Sequence, residues 1–586
     1  SQDTTAVLLL IGAFLACTAL FFGILQLDFD VGRDFLVADQ MLRGKLPYRD
    51  TFYFYGPLTP WFHWLLFRLC GPSLLSLLVA GALAGFLVVL LVYGIARQIL
   101  LPTPAAVAGL LVTVRSVYGV DVARYATPYT FSATYGLLFA LLTLYAALRS
   151  LDAPSISRWD LVAASSAGLA LATKQEYAII SAVVLGAALV LRFYRSPRRL
   201  LPAVAVGAAC YGLFAAPFAF LVLRQISLAQ FLANVYPKDS LAGWRHFLEL
   251  AGGWGPYFWP EIQVSIAGFL YNVSFVLWGA CLLPLLMAWF RDRRTPAPVF
   301  WLLLAEGLVF VWRFPSFLYY PLLLHMVVLA FVVTGRAPGS RAKTGLLAFA
   351  AAVFLFRIPN ARYDLYGQFY CVPSLIVYLY LWYELAAPRL ARLFPERRVH
   401  AAITAVFLLA ALAPEFFTSE FRWARHTQAM ASERGQFRIF APEAVKARVV
   451  LAQIRRYTDL GDKILLLPFG TMYYFLTGRQ PPSRYLDYTN GQLVDGAPEQ
   501  VEIRRLSQGP PKLVVIDDFA DVAEFAGPVN TFGRAYNVQL ARWIHENYQE
   551  VRSIPYQGRL VHFLIPKGAL PAASRAPAGK PAKPEG

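Results

Sequence analysis

Apolar runs of about 17–25 residues recur about thirteen times along this chain, and no other feature restricts its folding as severely. A backbone that enters lipid that often must satisfy its own hydrogen bonds within each segment, which leaves helices. The runs lie near 5–27, 72–96, 103–119, 128–148, 159–174, 176–193, 200–223, 265–290, 299–313, 315–334, 344–358, 367–388 and 400–417. Only 15% of the 586 residues are charged, against about a quarter in soluble domains. The expectation is a mainly α, polytopic membrane bundle. The run from Thr5 to Leu27 lacks a basic flank and a small-residue cleavage site, so it reads as a span and not as a secretory signal.

The net charge of +18 suggests nucleic acid, but the basic residues form no continuous stripe. They sit in short loops: Arg192, Arg195, Arg198 and Arg199; Arg291, Arg293 and Arg294; Arg336, Arg341 and Lys343; Arg389, Arg392, Arg397 and Arg398. With the spans above, these clusters share one face with Arg97, Arg149 and Arg158, and the positive-inside bias makes that face cytoplasmic. Nucleic acid is excluded as a partner and membrane lipid takes its place. The five cysteines are scattered without a CxxC pair, and most lie in apolar runs, so they read as small core residues.

The other face receives the longer, more varied segments: 28–71, 120–127, an aromatic-rich 224–264, and 357–366. Within 28–71 we expect a short helix lying on the membrane, capped by Asp34, with Phe35, Ala38 and Leu42 on one face and Gly44 with Pro47 ending it. The aromatic stretch 52–68 reads as interfacial anchoring. Beyond 418 the pattern changes. Val449–Tyr457 and Leu540–Tyr548 read as helices; 463–468, 513–517 and 561–565 read as strands, which suggests an α/β domain. The resulting division is a membrane domain 1–417, an extracytoplasmic α/β domain 418–568, and a disordered tail 569–586 rich in Pro, Ala, Gly and Lys.

Charge at a membrane face is costly to keep near lipid and invites a functional explanation. Asp28, Asp30, Arg33 and Asp34 crowd the end of the first span. On the same face lie Asp121 and Arg124, Lys174 and Glu176 in an otherwise apolar hairpin, Arg313 between two spans, and Arg357 with Arg362. Lys174 needs a partner, for which Glu176, Asp121 or an anionic ligand are the alternatives. Each arginine reads either as an anion contact or as a snorkelling side chain. The histidines show no metal-ligand spacing, and no phosphate-cradling GxxxxGKS run is present.

The sequence Asp30-x-Gly32, followed by Ala38-x-x-x-Leu42-x-Gly44-x-x-Pro47-Tyr48-Arg49-Asp50, resembles the GT-C superfamily of lipid-linked-sugar glycosyltransferases. The closest type is its bacterial members related to protein O-mannosyltransferases and aminoarabinose transferases. Leu467-Pro468, Tyr474-x-Leu476-x-Gly478-Arg479 and Pro482-x-Arg484 are similar to the outer domain of the same relatives. Val31 stands where many relatives carry an acid. The resemblance implies transfer of a monosaccharide from a polyprenyl-phosphate donor to a hydroxyl of a glycan, lipid or protein acceptor, at the outer face of a bacterial cytoplasmic membrane. A polyprenyl phosphate is already a competent leaving group, so the harder requirement is a base for the acceptor hydroxyl. Asp30 is the leading candidate, with Asp28 and Asp34 as rivals that otherwise cap helices. The resemblance also places Asp121 as a second acid. Arg124, Lys174, Glu176, Arg313, Arg357 and Arg362 are the candidate donor-phosphate and substrate contacts. A Mg2+ or Mn2+ ion bridging carboxylates and phosphate is compatible with the sequence but not required by it. A flippase for lipid-linked sugar and a non-catalytic scaffold are the alternatives; the flippase is disfavoured because polar groups gather at one face and no repeat is seen.

Overall fold

The computed structural model describes residues 2–27, 31–118, 124–235, 332, 340–355, 369–391, 395–417, 427–488, 497–517, 532–534, 536–556 and 559–569. The expected spans 265–290 and 299–313, all of 315–334 but Val332, most of the 224–264 loop, and the tail beyond 569 lie outside them. The described part is mainly helical. It opens with α1 (Gln2–Phe21), α2 (Val31–Leu42), α3 (Leu58–Cys70), α4 (Leu74–Ala96), α5 (Pro102–Val112), α6 (Phe131–Ser150), α7 (Arg158–Leu171), α8 (Gln175–Phe193), α9 (Pro197–Leu223) and α10 (Leu228–Val235). Further on come α11 (Arg341–Leu355), α12 (Val372–Tyr380) and α13 (Glu396–Phe417).

Among the described residues, five helices are long and apolar enough to cross a membrane: α1, α4, α6, α8 and α9. Their composition is apolar on both sides of the helix. Leu8, Leu15 and Leu20 on α1, Leu75 and Leu83 on α4, and Leu201, Leu213 and Phe220 on α9 are exposed, where a soluble protein would place charge. The inner faces pack instead through small residues and Val or Leu, with Ala105, Ala108, Ala140, Ala147, Val88 and Leu144 fully buried. The expected span 159–174 corresponds to the 14-residue α7, and 344–358 to the 15-residue α11. Both are shorter than a full crossing.

The two ends of the bundle differ in kind. At one end, Arg97 pairs with Asp3 at 2.6 Å, Lys343 with Asp152 at 2.6 Å, and Arg192 with Asp160 at 2.5 Å. These basic residues share that end, as the loop pattern requires. At the opposite end, the backbone N–H of Leu25 donates to Arg438 O at 2.8 Å, and that of Leu74 to Arg434 O at 3.0 Å. These bonds seat the hairpin β1 (Thr427–Ser432) and β2 (Gly435–Phe440) on the ends of α1 and α4.

Beyond the hairpin lie α14 (Ala441–Tyr457), β3 (Ile464–Leu467), α15 (Thr471–Thr477), α16 (Ala497–Gln508), β4 (Leu513–Asp517), α17 (Val538–Asn547), β5 (Tyr548–Tyr556) and β6 (Arg559–Pro566). The strands form one sheet in the order β3-β4-β6-β5, with β3 and β4 parallel and the other pairs antiparallel. Ile464-Leu465-Leu466-Leu467 is uninterrupted apolar sequence because both faces of the sheet are covered. Ile464 and Leu466 join Val515, Phe563 and the α14 stripe Ala447, Val450 and Ile454 in the core that also holds Phe35 and Leu36 of α2. Leu465 and Leu467 face the other way, onto Leu506, Leu540 and Ile544.

Helix α2 therefore does not lie on a membrane surface. From Val31 to Met41 every residue is buried, because α2 is roofed by α15 and backed by α3. The helix ends as expected, at Gly44, whose φ of +80° suits a residue without Cβ. The aromatic stretch is likewise drawn inward in part: Tyr53, Tyr55 and Phe67 are buried, whereas Phe62, Leu65 and Leu69 stay exposed along one face of α3.

Several glycines mark where segments touch backbone to backbone, Gly32 and Gly56 among them. A Cβ on Gly32 would collide with the backbone of Met472, and one on Gly56 with the carbonyl of Ala172. Gly32→Ala and Gly56→Ala should each lower stability by about 1–3 kcal/mol. Gly12→Ala, where no heavy atom lies within 4 Å, should be neutral. Thermal unfolding in detergent reads the difference, and equal midpoints for all three variants would refute the close approach.

Candidate active site

The chain between α2 and α3 folds back on itself. Tyr48 adopts φ +67°, its N–H donates to Thr51 O at 2.8 Å, and its hydroxyl donates to Tyr55 O at 2.8 Å. Residues 54–58 then dock on the junction between α7 and α8. The N–H of Gly56 donates to Thr173 O at 2.8 Å, that of Leu58 to Ala172 O at 2.7 Å, and the Gln175 amide to Phe54 O at 3.1 Å.

Asp34 is the anchor on the other side of this loop. Its Oδ1 accepts from the Tyr53 hydroxyl at 2.9 Å; its Oδ2 accepts from the Thr130 hydroxyl at 2.9 Å and from the N–H of Phe131 at 2.6 Å. Phe131 opens α6 and Thr130 is its N-cap. Asp34 thus does cap a helix, but the helix is α6, not α2 as expected. The position is favourable, since orphan N–H groups and the positive end of the helix dipole meet a carboxylate there. Burial still dominates and pushes the Asp34 carboxyl up to about 6, the hydrogen bonds recovering only part of the lost hydration. The polar chain continues from Tyr53 to Ser132 at 3.1 Å and from Ser132 to Thr59 at 2.9 Å. Beside it, the His63 ring bonds the Tyr135 hydroxyl at 3.0 Å, and burial holds that imidazole neutral, down to about 3.

Lys174 occupies the N-cap position of α8, and its side chain is only 6% exposed. Its ammonium donates to the Tyr129 hydroxyl at 2.6 Å and lies 3.4 Å from Glu176 Oε1. It also sits 5.4 Å from the Tyr55 ring centroid and 5.2 Å from that of Tyr129. Phe369 closes the enclosure, its ring 5.5 Å from Tyr129 and 5.1 Å from Tyr125. Of the partners open to Lys174 in the sequence, Glu176 is found among the described residues, and Asp121 lies outside them. A cation held by aromatic faces and one partly exposed carboxylate retains positive potential for an incoming anion.

The loop thus brings Asp34, Lys174 and Glu176 into one neighbourhood. Tyr53 bonds Asp34, its ring lies 5.7 Å from Tyr55, and Tyr55 faces Lys174. Arg124 is buried in the segment leading into α6. Asp28, Asp30, Asp121, Arg313, Arg357 and Arg362 lie outside the described residues. Among the described residues, no group of three or more His, Cys, Asp or Glu side chains converges as a metal site. Sequence reasoning missed Tyr53, Tyr129 and Thr130. Only Thr130 carried a local signal, a threonine immediately before a helical apolar run.

The family described as dolichyl-phosphate-mannose-protein mannosyltransferase matches residues 55–225, which run from Tyr55 to just past α9 and include Arg124, Lys174 and Glu176. A search of curated proteins finds no match. Among solved structures, ArnT from Cupriavidus metallidurans in the apo state superposes with a TM-score of 0.52 at 15% identity, covering 96% of this chain and 98% of that one. The oligosaccharyltransferase of Archaeoglobus fulgidus in the apo form gives 0.51 at 14% identity, over 87% of this chain and 69% of that one. The archaeal oligosaccharyltransferase AglB from Archaeoglobus fulgidus, in complex with an inhibitory peptide and a dolichol-phosphate, gives 0.50 at 13% identity, over 95% and 74%.

The raised Asp34 pKa has a signed consequence. Between its ordinary value of 3.8 and about 6 the native state binds the proton more tightly than the unfolded chain, so this group's contribution to stability falls as pH rises through that window. The unfolding midpoint of the parent should drop relative to Asp34→Asn by several degrees between about pH 4 and pH 6.5. A gap that stays constant over that range would mean the carboxyl titrates at its ordinary value.

Proposed function

We propose that this chain, which has the fold of the GT-C integral-membrane glycosyltransferases, moves a monosaccharide from a polyprenyl-phosphate donor to an acceptor hydroxyl. The reaction would take place at the outer face of a bacterial cytoplasmic membrane. The observation that carries this reading is the Lys174 ammonium, enclosed by Tyr55 and Tyr129 beside the first outer loop. It sits at the end of the bundle opposite the basic ion pairs. With the basic end in the cytoplasm, that loop and the β3–β6 sheet are extracytoplasmic.

In this reading the acceptor oxygen attacks the anomeric carbon as the bond from that carbon to the phosphate oxygen breaks. The proton of the acceptor passes to a carboxylate, and the lipid phosphate leaves with the bonding pair, a single displacement with inversion. Asp30, two residues before the close contact at Gly32, is our general base, and Asp28 is its rival. Asp34 has both oxygens committed to Tyr53, Thr130 and Phe131, so its role is to position the loop. Lys174, with the Tyr129 hydroxyl beside it, would meet the charge that collects on the leaving phosphate. Arg124, Asp121, Arg313, Arg357 and Arg362 complete the proposed substrate contacts. Two comparisons support the lipid donor. The matching family is described by a dolichyl-phosphate sugar, and the AglB relative carries dolichol-phosphate.

Asp30→Asn should reduce transfer by about 10²–10⁴-fold while binding of undecaprenyl phosphate to the purified protein stays at the parent value. Lys174→Ala should weaken that binding by about tenfold, the scale of one lost charge-assisted contact. Unchanged transfer in Asp30→Asn removes that residue from the mechanism; unchanged lipid-phosphate affinity in Lys174→Ala removes the lysine.

A further inference from the structure

Beside α3, Tyr53 and the start of α6, a second set of partners holds α2 from sequence more than 390 positions away. Gly32 is seated on Thr471 and Met472. The Arg33 guanidinium pairs with Asp487, both side chains buried to 3% exposure or less. Phe35 meets Phe475 at 5.1 Å between centroids, Asp39 takes Arg434 at 2.7 Å, and the Gln40 amide donates to Gln480 Oε1 at 2.7 Å. The loop after α2 is held from the same side: the N–H of Phe52 donates to Arg484 O at 2.8 Å, and the Arg484 guanidinium donates to Tyr48 O at 3.2 Å.

These contacts grip α2 from its first turn to its last and then continue along the loop. The buried ion pair is the member least explained by stability. Desolvating two charges costs more than a good apolar contact would, and the best-attested use of such a pair is to fix registry. Among the described residues the second oxygen of Asp487 has no hydrogen-bond partner. What it does fix is the next layer inward. Arg33 lies 4.3 Å from the Phe54 centroid, Phe54 packs on Tyr55 at 4.4 Å, and Tyr55 faces the Lys174 ammonium.

We infer that the segment carrying β3 and α15 is a clamp on the reaction loop, and that Arg33 and Asp487 are positioning residues for the transfer proposed above, on which this inference rests. The clamp holds α2 and the loop that follows it against Lys174 through Phe54 and Tyr55. The segment 471–487 is in this view part of the transfer machinery, and not an appendage that only recruits an acceptor.

A double-mutant cycle on the full-length protein in detergent micelles tests this, using Arg33→Gln, Asp487→Asn and both together. Two readouts are taken: hydrogen exchange over residues 31–57, and affinity for undecaprenyl phosphate. Each single variant should raise exchange in 31–57 by about tenfold or more while α6 and α8 exchange as in the parent. Each should weaken the lipid phosphate by about tenfold. The double variant, which leaves no unpaired charge, should recover much of both losses. Parent-like exchange in 31–57 for Asp487→Asn overturns the clamp, as does a double variant whose losses equal the sum of the singles. Loss of protection throughout the protein in Asp487→Asn and in the double variant would make the pair a folding element and also overturn it. A parent protein that binds no undecaprenyl phosphate would sink the lipid-donor reading, while the exchange data would still judge the clamp.

Discussion

A carboxylate cut off from water must have each oxygen met by a donor, and Asp34 meets that demand with groups from two other segments. Tyr53 comes from the loop after α2, and Thr130 with the N–H of Phe131 from the start of α6. An unpaired buried charge would cost several kcal/mol, so α2, the loop and α6 can only be assembled together. Much of the local geometry follows from this. Tyr53 must turn inward, which brings the backbone at 54–57 down onto the α7–α8 junction. That approach is close enough to exclude any side chain at position 56. The same descent puts the Tyr55 ring over Lys174. The ammonium and the loop are neighbours because the carboxylate on the far side of the loop left no other path.

How legible this was in the sequence depended on the range of the interaction. Helices were read from runs of apolar residues, a local signal, and α1, α4, α6, α8 and α9 fall where the runs place them. The strands at 464–467 and 513–517 were equally plain, because burial on both faces leaves no polar interruption. The hairpin 427–440 and strand β5 were missed for the opposite reason. Gln428, Gln436 and Arg438 in the former, and Glu550, Arg552 and Ser553 in the latter, are polar residues on half-exposed strands. Only their partners make such strands. Asp34 shows the finer failure. An aspartate near a helix start reads as that helix's own cap, and nothing within the neighbouring residues reveals that its oxygens face a helix almost a hundred positions downstream. Arg33 and Asp487, 454 residues apart, could not be paired from one sequence at all.

The distribution of charge between the two ends carries the remaining argument. At the basic end, Arg97–Asp3 and Lys343–Asp152 each include a carboxylate more than half exposed; such pairs contribute little and need little geometry. Arg192–Asp160 is buried there, but Asp160 also closes the capping box with Ser157 at the start of α7, a local duty. At the opposite end, Arg33–Asp487 is buried and Arg434–Asp39 and Lys174–Glu176 are nearly so, and the first two join segments far apart in sequence. A chain that needed only stability would fill those positions with apolar side chains at lower cost. Keeping desolvated charge at one end, around one loop, sets aside a region where potential and position matter more than cohesion. In such a low-dielectric setting an ammonium acts on a developing phosphate charge with far more effect than it would in water. The features that make this end expensive to fold are the ones that would make it effective in group transfer.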